Sequence, residues 1–401
     1  MISGRLEALL GTRIPTGPPV VFLGIVTLLA IATPARATPQ FARTHQVKCT
    51  ACHVVPPMLN EDGLAFQASG YQLVRSTDSN KDESRPRTIP MAVWIAARAE
   101  DQGSAGASDL FLPKVELISG GRIGKQWSYF VEWRIVSLSL NPDGSLKDRG
   151  GRFEDLFFNW NVGRHSARVG QYRTINQVDV SLRLSPSDPL LFKTGLRTGI
   201  DPDPRLDSLN RFSPSSRSPS LGYSFQSITG KRASDGLFHF VTVPFVGEFS
   251  IPLSQEASQT ASFELEEAKG LYVETFYRRG QKSIGGHVFT DGDGAWLLTA
   301  LGTMDWRNML FTAGVGVDDE DNRDQRNRWS VQAEYLFTQR KRIRGAAGLR
   351  VEDVSDDGKR VTYVPYIAVS APNTRHTFLL QLQYKNQEGS DVFVADLSAL
   401  F

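Results

Sequence analysis

From about Pro90 onward the chain alternates, segment after segment, between apolar and polar side chains. Successive strand residues point to opposite sides, so such a segment lies with one face in an apolar medium and the other in a polar one. Trp329, Val331, Ala333, Tyr335 and Phe337 share one face, against Ser330, Gln332 and Glu334 on the other. Trp127, Tyr129, Val131, Trp133 and Ile135 alternate with Ser128, Glu132 and Arg134, and Phe378, Leu380, Leu382 and Tyr384 with Thr377, Gln381, Gln383 and Lys385. Ile343, Gly345, Ala347, Leu349 and Val351 alternate with Arg344, Arg350 and Glu352. A soluble sandwich alternates too. Here no second domain or helical stretch interrupts the pattern, and aromatics gather at segment ends. The last segment (Phe393, Ala395, Leu397, Ala399, Phe401) closes on an aromatic. The expected fold is all-β, an antiparallel transmembrane β-barrel over residues 90–401.

Strand parity constrains the count. Segments near 90–99, 110–119, 127–138, 153–162 and 166–173 read as strands, as do 270–279, 283–290, 296–304, 308–316, 328–337, 344–352, 361–370, 375–385 and 391–401. Bacterial barrels have even strand numbers, so residues 174–269 hold two or four more, drawn from 190–197, 221–229, 236–246 and 259–267. The totals are then sixteen or eighteen. Sixteen is favoured because Asp201 to Pro219, rich in Pro, Ser, Asp and Arg, reads as one long surface loop. The same bookkeeping places longer connectors outside, with Asp318-Asp319-Glu320-Asp321, Asp324, Asp353, Asp356 and Asp357 as an acidic outer mouth. Such a mouth would concentrate cations. The inner connectors are short and basic: 121–125, 163–165, 278–282 and 339–342.

Ahead of the barrel, Val20 to Ala32 is an apolar run preceded by Arg5 and Arg13 and followed by Ala35-Arg36-Ala37. These are the parts of a secretory signal peptide, expected over 1–37 with the mature start near Thr38. The run is shorter than the roughly 20 residues a spanning helix needs. Its removal takes Arg5, Arg13, Arg36 and Glu7 and leaves a formally neutral chain. No global field then draws it to nucleic acid.

Only two cysteines occur, and both fall in Cys49-Thr50-Ala51-Cys52-His53. CxxCH is the c-type haem attachment pattern: two thioethers anchor the porphyrin and the adjacent imidazole ligates iron. Half a zinc site would lack a second cysteine pair, and a disulfide would leave His53 without a purpose. The cofactor expected is one covalent haem c held by Cys49, Cys52 and His53, with His53 as iron ligand and no catalytic residues assigned. Such attachment occurs outside the cytoplasm, in agreement with the leader. Residues 38–75 form the haem segment and the polar run 76–89 a linker. That is too little chain for a cytochrome core of its own, so the barrel lumen is the nearest wall. A short helix is expected around Asn60–Ser69, closed by Gly70.

Phe41-Ala42-Arg43, the CxxCH motif, Pro57-Met58-Leu59-Asn60, Gly63, Phe66 and Gly70-Tyr71 together resemble the haem segment of the fused outer-membrane monohaem cytochrome c–porins of iron-oxidising bacteria. The detailed likeness covers about thirty residues, and the barrel matches in architecture. The resemblance implies an electron-transfer cytochrome with Fe(II)-oxidising activity in the outer membrane, its haem segment on the periplasmic or central side of the lumen. Extracellular Fe(II) would be the donor, a periplasmic c-type cytochrome the acceptor, and outer-membrane lipid the surroundings. Alternatives are a porin-like channel whose haem segment is a plug or redox sensor, a conduit for another donor, and a haem peroxidase with an open sixth position. Met91, His45 and Met58 are the candidate sixth ligands. His165, His239, His287 and His376 read as structural or interfacial.

Overall fold

The computed structural model describes residues 40–45, 47–72, 90–101, 108–140, 145–148, 151–173, 217–229, 233–246, 269–290, 296–319, 325–339, 343–354, 361–372, 377–387 and 390–400. The leader, the linker, most of the long loop from Asp201, His376 and Phe401 lie outside them.

The N-terminal segment contains helix α1 (Gln40–His45), a 3-10 turn over Cys49–Ala51, a small ribbon of β1 (His53–Val55) and β2 (Met58–Leu59), and helix α2 (Glu61–Ala68). Then come β3 (Met91–Asp101), β4 (Ser108–Arg122), β5 (Trp127–Val136), a ribbon of β6 (Leu138–Leu140) and β7 (Leu146–Asp148), β8 (Arg152–Val162) and β9 (His165–Arg173). They are followed by β10 (Arg217–Ile228), β11 (Leu237–Val246), β12 (Lys269–Arg279), β13 (Lys282–Thr290) and β14 (Trp296–Trp306). The series ends with β15 (Met309–Asp319), β16 (Arg326–Gln339), β17 (Ile343–Val354), β18 (Thr362–Pro372), β19 (Thr377–Gln387) and β20 (Ser390–Leu400).

All these strands except the two ribbons form one closed antiparallel barrel, sixteen in number. β20 pairs with β3, through Ala395 opposite Ala99 and Leu400 opposite Trp94, and this removes the sheet edge. β9 pairs directly with β10, and β11 with β12. The candidate strands 190–197 and 259–267 lie outside the described residues, and the described strands already close the ring at sixteen rather than eighteen. The long loop ends sooner than its composition implied, because Arg217 to Pro219 already pair with β9. The 139–152 connector carries the β6–β7 ribbon, which its sequence did not disclose.

The alternation is realised as lipid-out, polar-in. Val331 and Tyr335 of β16 are exposed, whereas Ser330, Gln332 and Glu334 are buried toward the lumen. Trp127, Phe158, Trp160, Leu271, Ile284, Leu298, Trp306 and Val315 also present their surface outward. An apolar exterior around a polar interior is the construction of a barrel that sits in an outer membrane. Inside, charges pair across strands. Arg98 forks onto Asp396 at 2.7 and 2.8 Å. Arg134 reaches Glu116 at 2.7 Å and Glu154 at 3.2 Å, and Lys114 lies 3.3 Å from Glu116.

The acidic mouth is corrected in part. Asp318 and Asp319 belong to β15, and Asp318 is fully buried in an ion pair with Arg328 of β16. Asp353 likewise lies within β17, while 320, 321, 324, 356 and 357 fall outside the described residues. Arg278 is also not a turn residue: it is buried in the lumen at the end of β12.

Candidate haem site in the barrel lumen

The attachment motif is held by a short-range lattice. Asn60 caps α2 by accepting from the Gly63 amide at 2.9 Å, and its side-chain amide donates to the Ala51 carbonyl at 3.0 Å. Its backbone N–H donates to the Cys52 carbonyl at 2.9 Å. One asparagine thereby satisfies an orphan helix amide and closes the Cys-x-x-Cys turn against α2. Gly63 allows the approach: a Cβ there would stand 2.2 Å from the Cys52 carbonyl oxygen. At the other end Gly70 takes φ +68°, as a left-handed residue past a helix C-cap does, and Tyr71 follows with φ 64°. The expected helix is present, with Ser69 as the C-cap and Gly70 one place beyond.

Cys49 and Cys52 are not joined in a disulfide. Burial, then Asp62 and Cys49, push the Cys52 thiol up to about 11, so it stays protonated at neutral pH. His53 Nδ1 lies 3.0 Å from the Pro57 carbonyl oxygen. A carbonyl only accepts, so Nδ1 carries the proton and Nε2 keeps its lone pair. Burial lowers the His53 pKa below its usual value and favours this neutral form. Orientation of a ligand imidazole by a backbone carbonyl is the usual outer-shell arrangement at a metal.

Cys49, Cys52 and His53 open onto a cavity of about 310 Å³, within the range of roughly 300–1,000 Å³ typical of cofactor pockets. Phe41, Phe66 and Tyr71 line it from the plug, and Ala92, Trp94, Ile118, Phe130, Leu379 and Ser398 from the barrel. The wall is strongly aromatic. Phe41 and Tyr71 stack at 4.8 Å, Tyr71 and Phe130 at 4.5 Å, and Phe66 stands edge-on to Phe41 at 5.1 Å. Two neighbouring thiols, an oriented imidazole and an apolar, aromatic slot are a donor set and lining that would fit haem c. Among the described residues no group of three or more His, Cys, Asp or Glu could hold a bare metal ion.

The plug is fixed to the barrel by three arginines. Arg168 of β9 donates to the Gln67 carbonyl at 3.1 Å, and Arg344 of β17 to the Val54 carbonyl at 2.7 Å. Arg278 of β12 pairs with the Glu61 carboxylate at 3.1 Å. Apolar contacts complete the seat: Val55 and Met58 pack on Leu310, Ala346, Tyr366 and Leu379, and Leu64, Ala65 and Ala68 on Ala233, Leu237 and Phe276. These positions lie toward the barrel end that carries the short connectors, such as 280–281 and 307–308.

The candidate sixth ligands separate. Met58 is 2 % exposed in its packing cluster, and Met91, at 43 %, faces out from β3; neither lines the cavity. His45 does line it. His165 bonds the Tyr223 hydroxyl at 2.7 Å and His287 the Thr299 hydroxyl at 2.6 Å, while His239 is buried beside Phe276. The docking arginines and the inward aromatics Phe130, Phe157 and Tyr172 were not foreseen. Phe130 and Phe157 leave a trace in the adjacent pairs Tyr129-Phe130 and Phe157-Phe158, where two consecutive aromatics break the period and one must face inward; Tyr172 and the arginines leave none.

No family model matches the chain, and no curated protein matches it. Among solved structures it is similar to an anion-selective porin from Comamonas acidovorans, at 9% identity and TM-score 0.48 over 77% of this chain and 98% of that one. It is also similar to the outer membrane channel DcaP of Acinetobacter baumannii, at 14% identity and TM-score 0.44 over 78% and 96%. OmpT of Vibrio cholerae gives 10% identity and TM-score 0.43 over 78% and 97%.

Proposed function

We propose that this chain is an outer-membrane electron-transfer protein that carries one haem c on Cys49, Cys52 and His53. It takes electrons from extracellular Fe(II) and passes them to a periplasmic c-type cytochrome. The observation that carries the reading is the aromatic cavity shared by the CxxCH segment and the barrel wall. When bound, haem supplies reversible one-electron chemistry. The residues do the rest. His53 presents Nε2 in a pose set by the Pro57 carbonyl. Phe41, Tyr71 and Phe130 exclude water from one side of the slot. Arg168, Arg278 and Arg344 hold the segment against the barrel wall, which keeps the attachment turn at a fixed place in the lumen. This seating favours a conduit over a passive porin. Fe(II) as donor and membership of the fused cytochrome–porins rest on the resemblance of the haem segment.

The test is stopped-flow reduction of the purified, detergent-solubilised protein by Fe(II), followed in the haem spectrum. Single-exponential reduction whose rate rises with Fe(II) concentration supports the proposal. Covalent haem that other small reductants reduce and Fe(II) does not would move the donor assignment elsewhere. Absence of covalent haem would remove the reading altogether.

A further inference from the structure

We infer that His45 supplies the second axial nitrogen to the iron, giving bis-imidazole ligation; this rests on the haem reading above. Phe41 and His45 are four residues apart on α1, so they lie on one face of the helix. Both line the cavity into which the two cysteines and His53 open. Phe66 of α2, itself on the cavity wall, braces that face, standing edge-on to the Phe41 ring at 5.1 Å and to the His45 ring at 5.4 Å. The imidazole is thus set by packing on the same cavity as His53, and α1 precedes the attachment turn while His53 follows it.

The other donors along this cavity are poorer. Lys48 is exposed, and an ammonium has no lone pair to give. The Tyr71 ring is packed against both Phe41 and Phe130, with ring centroids 4.8 and 4.5 Å away. Gln40 and Gln67 offer only amide groups, and neither methionine considered reaches the cavity. An imidazole in the sixth position occupies the site that a peroxidase keeps open. It also sets the potential below that of thioether ligation, which selects a more reducing donor.

The experiment is low-temperature EPR and optical spectroscopy of the oxidised full-length protein in detergent, with His45→Ala, Met58→Leu and Met91→Leu beside it. Covalent haem is quantified first, by the pyridine haemochrome. The expected result is a low-spin wild type with bis-imidazole g-values and no thioether charge-transfer band, unchanged in both leucine variants. His45→Ala should turn high-spin and return to low-spin on adding imidazole. A thioether signature lost in either leucine variant, a high-spin wild type, or an unaltered His45→Ala would each overturn the ligand assignment while leaving the haem reading intact. Wild-type protein without covalent haem would overturn that reading, and the ligand with it. The wild-type EPR spectrum decides the question even if His45→Ala fails to accumulate.

Discussion

Replacing Arg278 with Met should loosen the plug without unfolding the barrel. Arg278 and Glu61 have side chains only 10% and 9% exposed, with Nε and Oε1 3.1 Å apart, and the same guanidinium lies 3.5 Å from the Leu59 carbonyl. Removing one member of a buried pair costs about 3–5 kcal/mol, because the remaining charge is left without compensation. At about 1.4 kcal/mol per tenfold, 3 kcal/mol lowers the docked-to-released ratio of the plug by roughly a hundredfold. The other two arginines and the apolar seat remain, so release should stay a minor population. The assay is cleavage of the plug at low protease concentration, where the rate follows the open population, alongside single-channel conductance in planar bilayers. Arg278→Met should raise the cleavage rate about a hundredfold and produce rare open events. Adding Glu61→Gln should recover a large part of the loss, since the orphaned charge is gone. Equal cleavage rates in wild type and Arg278→Met would refute the clamp, as would an additive double mutant.

Cys52→Ala should yield a folded barrel without normal covalent haem, read by haem staining beside heat-modifiable migration. Gly63→Ala pushes a Cβ to 2.2 Å from the Cys52 carbonyl oxygen; the backbone must shift, and a cost of about 1–3 kcal/mol should appear as reduced haem loading at equal barrel yield. Asp318→Asn leaves Arg328 buried without its carboxylate and should destabilise the β15–β16 pair by about 3–5 kcal/mol, measured as an earlier thermal transition. Steering of cations by this residue is not expected, because its charge is already paired.

The barrel was legible because period two is its physical requirement: lipid on one side and polar lumen on the other dictate the side chain at each position, as in Val331 against Gln332. The short helix and its Gly70 terminus were legible from local helix-stop chemistry, whereas the Asn60 cap emerged only from the structure. What the sequence concealed was tertiary. Arg278 looked like a turn residue and Asp318 like a loop acid, since nothing local records that each meets an opposite charge, one on the plug and one on the next strand. α1 carries too few residues to declare itself by periodicity. The choice among His45, Met58 and Met91 depended on which way each segment faces, and that is set by the packing of the plug against the barrel.

The central claim is that electrons cross the barrel by way of the haem segment. The direct measurement places the protein in liposomes that enclose an oxidised c-type cytochrome, adds Fe(II) outside, and follows reduction of the enclosed cytochrome optically. Wild-type protein should support reduction, and Cys52→Ala, inserted to the same level, should not. Equal reduction in the two would mean that Fe(II) merely permeates the barrel. Its absence with fully haem-loaded wild type would contradict the account.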